Sequence, residues 1–560
     1  MDEIIIVKPE KCVGCNACIR SCPAPEANIT KLLDDGRYIT TVNPERCIAC
    51  GECVRVCSHG ARDYVDDTTE AMAAVHKKEK IIILASPAIK TVFPTKWKNI
   101  LNWFRAQGCL IYDAALGADI CTWAHLRSLQ NDIIDTIITQ PCSAIVRYIE
   151  TYQPTLLKNL SPIHSPTLCL VVYIKQYLKL THKIAVLSPC IAKKLEFAET
   201  MLVDYNVTFK KLSEYFEAND IRITNDDNGE QSPFVYDFED EQGQYGSIYP
   251  RPGGLRDNLW LHDPELNITT SEGIQKVYPE LDMYAMLSED KKPQVFDVLS
   301  CDAGCNVGAG TGSNQTVFDI MQTMRGIEKE ARSRRKINGG FFRGGEDRLF
   351  KRFDEELLLD DFIRKYRMLT PSRVPTADEL EPIFCSIGKY TEAERNYNCH
   401  ACGYATCKEM ATAIYRGINT PDNCIVYAKS ILFAHTSETF GQSGRLAEIT
   451  GKCRALSEQL NAGIEKITEN MNEISEATDT TDSRAAIVHD LLTSIIAFCN
   501  STQTMDKENL QTLVSILEKT VSAFDDLSEN VKNTGENAAA VNQQINEMRQ
   551  LVTDINSALH

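Results

Sequence analysis

The chain has 560 residues, of which 43% are hydrophobic and 24% charged, and its formal net charge is −18. This length predicts several domains, on a prior of roughly 150 residues each. The acidic balance, without any Lys/Arg-rich tract, argues against nucleic acid as a partner. The 22 cysteines are unusual, because most of them cluster with two or three residues between members, a spacing typical of metal ligands rather than of disulfides.

The cysteine spacing and the apolar stretches also indicate the cellular compartment of the protein. Cysteines spaced for metal predict a reducing environment. Residues 1–9 do not resemble a signal peptide, and the longest apolar stretches, such as residues 168–174, are far shorter than the ~20 residues of a membrane helix. We therefore expect a cytoplasmic protein that does not bind a membrane.

Four regions differ in their sequence pattern. Residues 1–75 are cysteine-dense, and residues 80–375 alternate β-branched runs with amphipathic stretches, which predicts an α/β domain. Residues 376–430 form a second small cysteine module, and residues 431–560 have long helical periodicity. The clearest strands are 81–85, 133–139, 183–187 and 295–299, and each runs into a Ser-Pro or cysteine motif, where open α/β sheets place their sites. The polar segment 225–246 is predicted to be a surface loop.

The N-terminal region holds two runs of the form C-x2-C-x2-C-x3-C. Their members are Cys12, Cys15, Cys18 and Cys22, and Cys47, Cys50, Cys53 and Cys57. This pattern is typical of two-cluster bacterial ferredoxins, in which three cysteines of one run and the last of the other hold each [4Fe-4S] cluster. Zinc is the alternative metal for these cysteines, although four cysteines at three-residue steps suit cuboidal clusters better.

Three further cysteine motifs lie far apart in the α/β region. They are Thr139-Gln-Pro-Cys142, Ser188-Pro-Cys190-Ile-Ala-Lys193-Lys-Leu-Glu196, and Leu299-Ser-Cys301-Asp-Ala-Gly304-Cys305-Asn-Val-Gly308. In order and separation they resemble the three signatures of [FeFe]-hydrogenases, and the resemblance covers roughly residues 1–375. It implies an α/β domain that holds an H-cluster, a [4Fe-4S] cube joined to a two-iron subsite with CO and cyanide ligands.

The resemblance also implies roles for individual residues. Cys142, Cys190, Cys301 and Cys305 would hold the cube, and Cys305 would bridge it to the two-iron subsite. Lys193 would donate to a cyanide and pair with Glu196, whereas a surface charge pair is the alternative. The positions matching residues near the subsite are Ser86, Pro87, Ser188 and Leu299. Gly304, Gly308 and Gly310 suit close approach of the backbone to a bulky cofactor.

The chain departs from catalytic members at the proton path. Where those members carry a proton-donating cysteine directly before the first cube ligand, this chain has Pro141. The segment matching their relay glutamates, residues 117–128, holds Ala124, His125 and Ser128 instead. A chain that keeps the cluster ligands but lacks the proton path resembles the sensory [FeFe]-hydrogenases. His125 or Cys121 could supply another proton path, although a lone histidine near a helix is more often structural.

The second cysteine module has the spacing C-x2-C-x4-C-x16-C, with Cys399, Cys402, Cys407 and Cys424 as its members. It resembles a small [4Fe-4S] module of signalling and corrinoid proteins, with zinc as the alternative. His400 is interpreted as a bystander. Six cysteines lack cluster spacing and are predicted to be buried free thiols, namely Cys109, Cys121, Cys169, Cys385, Cys453 and Cys499.

The C-terminal region predicts a coiled coil. From Phe524 to Leu559 apolar positions alternate in steps of three and four, and Leu446 to Leu460 has the same character. A helical hairpin that packs on itself is the alternative, with residues 479–483 as a possible break. A coiled coil would suit a homodimer.

We therefore expect an H-cluster protein that senses H2, turns over protons and H2 slowly, and signals to a redox or signalling protein partner. Three further [4Fe-4S] clusters would accompany the H-cluster. No kinase, phosphatase or DNA-binding motif is present, so the output must go to another protein. The alternatives are a catalytic hydrogenase that exchanges electrons with ferredoxin, and an iron–sulfur relay that lacks the two-iron subsite.

Overall fold

The structure is a computed structural model that describes residues 3–24, 26–130, 136–225, 238–339, 348–475, 482–501, 507–531, 543, 546–547 and 549–554. Only the backbone is described at residues 336–339, 467–475, 482–488, 499–501, 507 and 523–531. The chain divides into two compact units, Met1–Tyr427 and Ala428–His560. Within the described part of the chain, no helix is both long and apolar enough to cross a membrane.

The N-terminal region is built from two antiparallel strand pairs. Its strands are β1 (Ile5–Val7), β2 (Asn28–Leu32), β3 (Tyr38–Val42) and β4 (Arg62–Tyr64), with β1 paired to β4 and β2 to β3. Two one-turn helices, α1 (Ala17–Arg20) and α2 (Glu52–Arg55), each contain the third cysteine of a run. The residue before each helix has a positive φ, which turns the chain back on itself and gathers the cysteines of that run.

The α/β region contains two parallel sheets. Its described strands are β5 (Ile81–Ala85), β6 (Leu110–Asp113), β7 (Ile137–Ile138), β8 (Lys183–Ser188), β9 (Tyr205–Thr208), β10 (Ile268–Glu272), β11 (Val295–Leu299) and β12 (Asp302–Cys305). One sheet has the order β6-β5-β8-β9 and the other β10-β11-β7. Every residue of β5 and β11 is buried, as expected for parallel strands covered on both faces.

Most of the predicted strands are observed. Residues 81–85 and 295–299 form strands with the predicted bounds, and the strand at 183 extends one residue further than predicted. In the segment 133–139, residues 137 and 138 form β7, while residues 131–135 lie outside the described part of the chain.

Helices surround these sheets. They are α3 (Thr68–His76), α4 (Ile89–Val92), α5 (Trp97–Ala106), α6 (Ala114–Gln130), α7 (Ser143–Tyr152), α8 (Pro166–Val172), α9 (Lys193–Thr200), α10 (Phe209–Ala218), α11 (Gly254–Trp260), α12 (Ile274–Met286), α13 (Val317–Gly339) and α14 (Arg348–Glu356). Helix α6 is the most deeply buried of the long helices and belongs to the largest apolar cluster, together with residues of α8, α14, β5 and β8.

Helix α6 approaches its neighbours closely because of glycines. A Cβ atom on Gly117 would lie 2.2 Å from the Pro166 carbonyl oxygen, and one on Gly246 would lie 2.1 Å from the Ala115 carbonyl oxygen. The buried Asp119 carboxylate accepts backbone N–H groups of Gln244 and Gly246 at 2.6 and 2.7 Å. The end of the polar segment 225–246 is therefore buried against α6, and the prediction of a surface loop is wrong there, because a capped carboxylate can hold polar backbone inside.

The second cysteine module packs on the N-terminal region. Its helices are α15 (Ala377–Ser386), α16 (Glu392–Arg395) and α17 (Cys407–Tyr415). Asn16 donates to Asn423 Oδ1 at 2.7 Å, Arg416 pairs with Glu26 at 2.6 Å, and Thr30 N–H donates to the Ile418 carbonyl at 2.9 Å. These contacts place the two cysteine-rich regions side by side within the first unit.

The second unit is a helical assembly. Its helices are α18 (Ile425–Ser475), which starts at the end of the first unit, α19 (Asp482–Ser501) and α20 (Lys507–Val531). Apolar side chains of all three helices, together with Leu551 and Val552, form one cluster that includes Cys453, Leu460 and Leu517. From the stretch between Leu446 and Leu460, the side chains of Ile449, Cys453, Leu456 and Leu460 thus pack on their own chain, as the helical-hairpin alternative expects, whereas Leu446 is 48% exposed. Most of the predicted seam from Phe524 to Leu559 lies outside the described side chains.

Because α6 and α8 cross closely, a glycine-to-alanine substitution is predicted to change protein stability in opposite directions at two helical glycines. Gly117→Ala should destabilise the protein by about 1 to 3 kcal/mol, because the new methyl group would overlap a backbone carbonyl. Gly326→Ala in α13 is the matched control, since a Cβ there meets nothing within 4 Å and Ala favours a helix by about 1 kcal/mol. Thermal unfolding followed by circular dichroism would measure both, and equal midpoints would contradict the proposed tight crossing.

Candidate functional site

Three strand ends bring four cysteines to one place. Cys142 follows β7, Cys190 follows β8, and Cys301 and Cys305 flank or end β12, directly after β11. The strands β7 and β11 belong to one parallel sheet and β8 to the other. The four cysteines therefore lie where the carboxyl ends of the two sheets meet, the position at which α/β folds bind their ligands.

These cysteines surround a cavity of about 950 Å³, part of which is open to solvent. Six residues that the sequence placed at the cofactor line this cavity, namely Ser86, Pro87, Pro141, Ser188, Lys193 and Leu299, whereas Glu196 does not. Its remaining wall is largely apolar and includes Ala114, Ala118 and Ile191. Such a mixture of apolar lining and a few placed polar groups is typical of a cofactor site.

The donor set fits a metal cluster. Burial raises the pKa of Cys190 to about 11 and of Cys305 to about 12, and raises the pKa of Cys301 well above its usual value. The charge of Cys142 also disfavours ionisation of these three thiols, and that of Cys190 disfavours ionisation of Cys301 and Cys305. Four sulfurs that share one cavity can all be thiolates only if a strongly cationic centre lies between them, as in a [4Fe-4S] cube.

The glycines of the third motif act differently from the prediction. A Cβ on Gly304, whose φ is +65°, would lie 2.1 Å from the Pro250 carbonyl oxygen, and Cβ atoms on Gly308 and Gly310 would crowd the Pro189 carbonyl. Gly304 and Gly308 do line the cavity. The space freed by their missing side chains, however, is occupied by protein backbone, so they set the packing of the cysteine loops.

Lys193 is the only charged side chain on the described cavity wall, and it is buried in an ionic network. Its Nζ lies 2.5 Å from Glu196 Oε2, and the two residues are 9% and 1% exposed. Arg364 Nη1 donates to the other Glu196 oxygen at 3.1 Å, and Ser143 Oγ donates to Oε2 at 3.2 Å. The pair is therefore not a surface pair.

Two cations hold Glu196 ionised. Burial opposes its ionisation, but the charges of Lys193 and Arg364 outweigh that effect, so the pKa of Glu196 lies below its usual value. Arg364 also donates to Glu199 at 2.9 Å. The network fixes the direction of the Lys193 ammonium group, since every charge around it is paired.

The described wall of the cavity carries no carboxylate and no imidazole. Among the described lining residues none is Asp, Glu or His, and Pro141 occupies the wall beside Cys142. His125 and Cys121 are fully buried on α6 behind the wall, and Ala124 and Ser128 are also buried.

One run of the N-terminal region reaches the same cavity. Cys50 lines it, and Cys22, Cys47, Cys50, Cys142 and Cys190 border one apolar cluster. Cys22 lies close enough to Cys47 and Cys50 for their charges to perturb each other's pKa. The structure thus brings the last cysteine of the first run close to Cys47 and Cys50 of the second run, while the exchange of cluster ligands stays a prediction.

The other run lies beside the second cysteine module. Cys18 and Ile19 pack in one cluster with Cys402 and Cys424. A Cβ on Gly403 would lie 2.8 Å from the Ile19 Cβ, which shows how tight this contact is. Arg62, which is buried, donates to Cys18 Sγ at 3.3 Å. The quartet of the module borders a small cavity with His400 at its edge.

Three family models match parts of the chain. Residues 79–260 match the C-terminal domain of the iron-only hydrogenase large subunit, residues 4–58 match a 4Fe-4S dicluster domain, and residues 396–426 match a family of Fe-S cluster modules. No curated protein matches the chain. The chain thus carries an iron-only-hydrogenase-like α/β region and two iron–sulfur regions, which indicates iron–sulfur cofactors. The hydrogenase family acts on H2 and protons.

Solved structures are similar over part of the chain. One is an [FeFe]-hydrogenase studied during stepwise H-cluster assembly, with a TM-score of 0.41 and 14% identity. Two are variants of the [FeFe]-hydrogenase from Chlamydomonas reinhardtii, with a TM-score of 0.40 and 14% identity. Each match covers 54% of this chain and 99% of the other. The iron-only-hydrogenase-like region and the iron–sulfur regions are therefore assigned from the family matches and not from these distant structural similarities.

Sequence reasoning missed several residues of the site. Tyr249 and Gly246 line the cavity and Arg364 completes the ionic network, yet none lies in a cysteine motif. A buried Glu196 was a signal for a second cation, because Lys193 alone pairs with only one of its oxygens, although nothing in the sequence pointed to residue 364.

The prediction of burial was wrong for one free cysteine. Cys385 is exposed on α15, whereas Cys109, Cys121, Cys169 and Cys453 are buried as predicted.

The ionic network predicts a large effect for Arg364→Gln. Removing one of the two cations leaves Glu196 undercompensated, so stability should fall by on the order of 3 kcal/mol. Lys158→Gln, which breaks the exposed pair with Glu289, is the control and should cost less than about 1 kcal/mol. Urea unfolding of the reconstituted protein would compare them.

The loss of stability caused by Arg364→Gln should depend on pH. Because the folded pKa of Glu196 is depressed, its contribution is present above its usual value of 4.5 and is lost as pH falls through the lower folded value. The difference between wild type and Arg364→Gln should therefore shrink below about pH 4.5. A constant difference down to strong acid would contradict the charge assignment.

Proposed function

We propose that the chain is an [FeFe]-hydrogenase-like protein of low turnover that senses H2 and signals to a partner protein. One observation carries the proposal: the cavity retains Lys193 beside four cysteines, yet Pro141 replaces a proton donor, and no described lining residue is Asp, Glu or His. Acid–base groups typically contribute a factor of about 10² to 10⁴ in rate. Hydrogen binding without fast proton exchange favours reporting over turnover.

Under this proposal the cavity holds an H-cluster. Cys142, Cys190, Cys301 and Cys305 would hold the cube, and Cys305 would also hold the two-iron subsite. The bound cluster supplies a centre at which hydrogen binds and exchanges electrons. The chain supplies the surroundings: Lys193 would offer a charged donor to a cyanide, and most of the wall is apolar.

Three further cubes would connect this centre to the output. Cys22 with the second N-terminal run would hold the nearest, because Cys50 lines the same cavity. The remaining cysteines of the first run with Cys57 would hold the next, and the module from Cys399 to Cys424 the last.

Two alternative functions remain distinct from sensing. A catalytic hydrogenase would exchange electrons with ferredoxin and needs a fast proton path, which the cavity wall does not favour. A relay without the two-iron subsite would leave the buried Lys193 without a ligand to bind. We place the protein in the cytoplasm, with a redox or signalling protein as its partner and no role for nucleic acid or membrane.

Infrared spectroscopy tests the cofactor assignment. The reconstituted protein should contain about 18 iron atoms per chain, four in each of four cubes and two in the subsite, and its CO and cyanide bands should shift when hydrogen is added. Cys305→Ala should remove these bands because its thiolate is the covalent link. The control Cys385→Ala, at an exposed cysteine outside every quartet, should keep them. Fully loaded wild type without CO and cyanide bands would establish the relay alternative.

Turnover separates sensing from catalysis. Hydrogen evolution with a strong reductant should be orders of magnitude slower than in a catalytic hydrogenase. Pro141→Cys should restore little by itself, because a donor without a path to solvent is not quickly reprotonated. Adding His125→Glu and Ser128→Glu should raise the rate more than the separate changes together, since residues of one relay are non-additive. Wild-type turnover at the catalytic level would defeat the sensing proposal.

We also propose that the chain forms a homodimer through its long helix. The first half of α18 presents large apolar side chains to solvent, including Leu432, Phe433 and Phe440, which are 66%, 78% and 74% exposed. Exposed apolar residues on one helix indicate a partner, and a second copy would suit a signal transmitter. Phe433→Ser with Phe440→Ser should weaken self-association in sedimentation, whereas Lys452→Ser, in an exposed ion pair on the same helix, should not. A monomeric wild type would exclude the dimer.

A further inference from the structure

Two buried cations lie beside the cysteine quartets of the iron–sulfur regions. Arg62, on β4, is 5% exposed, and Lys389, which follows α15, is 2% exposed. Within the described part of the chain, neither forms an ion pair with a carboxylate. An unpaired cation in a protein interior is strongly unfavourable, so each of them needs another source of negative charge.

The exchange predicted for the two N-terminal runs defines three quartets around these cations. The inner quartet is Cys22, Cys47, Cys50 and Cys53, the outer quartet is Cys12, Cys15, Cys18 and Cys57, and the module quartet is Cys399, Cys402, Cys407 and Cys424. The inner quartet reaches the central cavity through Cys50, and the outer quartet packs on the module quartet through Cys18. Their order from the cavity outward is therefore inner, outer and module.

Arg62 makes a direct contact with the outer quartet. Its Nη2 donates to Cys18 Sγ at 3.3 Å, to Asn28 Oδ1 at 3.1 Å and to the Thr40 carbonyl oxygen at 2.8 Å. Asn28 and Thr40 are buried, and the buried Nη1 of Arg62 has no hydrogen-bond partner among the described residues. The guanidinium is thus held against a cysteine of the outer quartet by neutral groups that do not cancel its charge.

The charge of Arg62 reaches both N-terminal quartets, but its hydrogen bond favours one of them. Burial raises the pKa of Cys18 and of Cys53, and the charge of Arg62 opposes this rise in each case. In the described part of the chain, its hydrogen bond to sulfur goes to Cys18 alone. Arg147, near the inner quartet, is compensated by Glu199 at 3.4 Å. The outer quartet therefore receives the stronger stabilisation of negative charge.

Lys389 borders the cavity of the module quartet. Its Nζ donates to the Glu394 carbonyl oxygen at 2.7 Å and lies 5.9 Å from the centre of the Tyr397 ring, two residues before Cys399. The Glu394 carboxylate caps α16, and its pKa is lowered mainly by the backbone N–H of Thr391 and least by Lys389. The site can offer Lys389 a full counterion when a cluster is bound by the four cysteines.

Both cations act on the charge that such a cluster carries. A cube held by four thiolates has a net negative charge, and reduction adds one more electron. A fixed cation nearby stabilises the reduced form and raises the reduction potential, and N–H donors to the sulfurs act in the same direction. Because Arg62 and Lys389 are buried, their charges are screened less than they would be in water.

We propose that Arg62 and Lys389 are positioning residues that raise the reduction potentials of the outer and module clusters above that of the inner cluster. This inference rests on the proposed cubes and on the proposed sensing of hydrogen. Electrons released at the cavity then pass the inner cluster and remain on the outer and module clusters. Oxidation of one H2 gives two protons, which pass to water, and two electrons, one for each of these clusters. The reduced module, directly before α18, is the state that a partner protein reads.

The order of reduction in the wild-type protein is the first test. During stepwise reduction of the fully loaded full-length chain, electron paramagnetic resonance should show the outer and module signals before the inner signal. Cys15→Ser, Cys53→Ser and Cys399→Ser each replace one ligand and identify the signal of each quartet. An inner cluster that is reduced first would overturn the inference. A loaded protein without any module signal would instead remove the proposed cube, and with it the role of Lys389.

Variants without the charge test each residue separately. Arg62→Met should lower the potential of the outer cluster and Lys389→Met that of the module cluster. Each should change the reduction equilibrium at least about tenfold, which is about 59 mV for one electron. The conservative variants Arg62→Lys and Lys389→Arg keep the charge and should recover most of the shift, which a purely structural role would not explain.

Two exposed cations are the matched controls. Arg20 lies on the same short helix as a cysteine of the outer quartet, and Lys408 directly follows Cys407 on α17. Arg20→Met and Lys408→Met remove the same charge, but water already screens it, so they should shift the potentials much less. A control that shifts a potential as much as its buried counterpart, or a loaded buried-cation variant at the wild-type potential, would overturn the inference. If CO and cyanide bands never respond to hydrogen, the proposed function fails, while the potentials still decide the roles of the two cations.

Discussion

Four sulfurs from three strand ends must meet around one buried cavity, and this convergence is the constraint on which the first unit depends. Cys142 and Cys301 come from one parallel sheet and Cys190 from the other, so the two sheets must present their carboxyl ends to a common point. The tight crossing of α6 and α8 at Gly117 fixes one wall of that point. A cofactor held there would join both sheets, which links its binding to the integrity of the fold.

Charge balance within this interior requires distant parts of the chain. Lys193 faces the cavity, Glu196 compensates its charge, and Arg364 compensates the remaining oxygen of Glu196. An unpaired buried charge would cost several kcal/mol, on the order of 3 to 5, so the segment around residue 364 is as necessary to the site as the cysteine motifs.

The iron–sulfur regions are arranged as neighbours in space. Cys50 borders the central cavity, and Cys18 packs with Cys402 of the second module. The hydrogen bond between Asn16 and Asn423 and the ion pair between Glu26 and Arg416 hold this last contact together. A change of redox state at the cavity thus has a short sequence of cysteine clusters through which it could reach the module that precedes α18.

The sequence by itself determined the cysteine quartets, the α/β class and the positions of β5 and β11, because local spacing and runs of buried apolar residues specify them. It also identified Pro141, since a departure from a motif is visible in one dimension. Only the tertiary structure decided that Arg364 completes the ionic network, that Gly304 makes room for backbone rather than cofactor, and that Cys121 faces His125 behind the wall. These features depend on contacts between segments far apart in the chain, or on the direction in which a helix face points, and local pattern specifies neither.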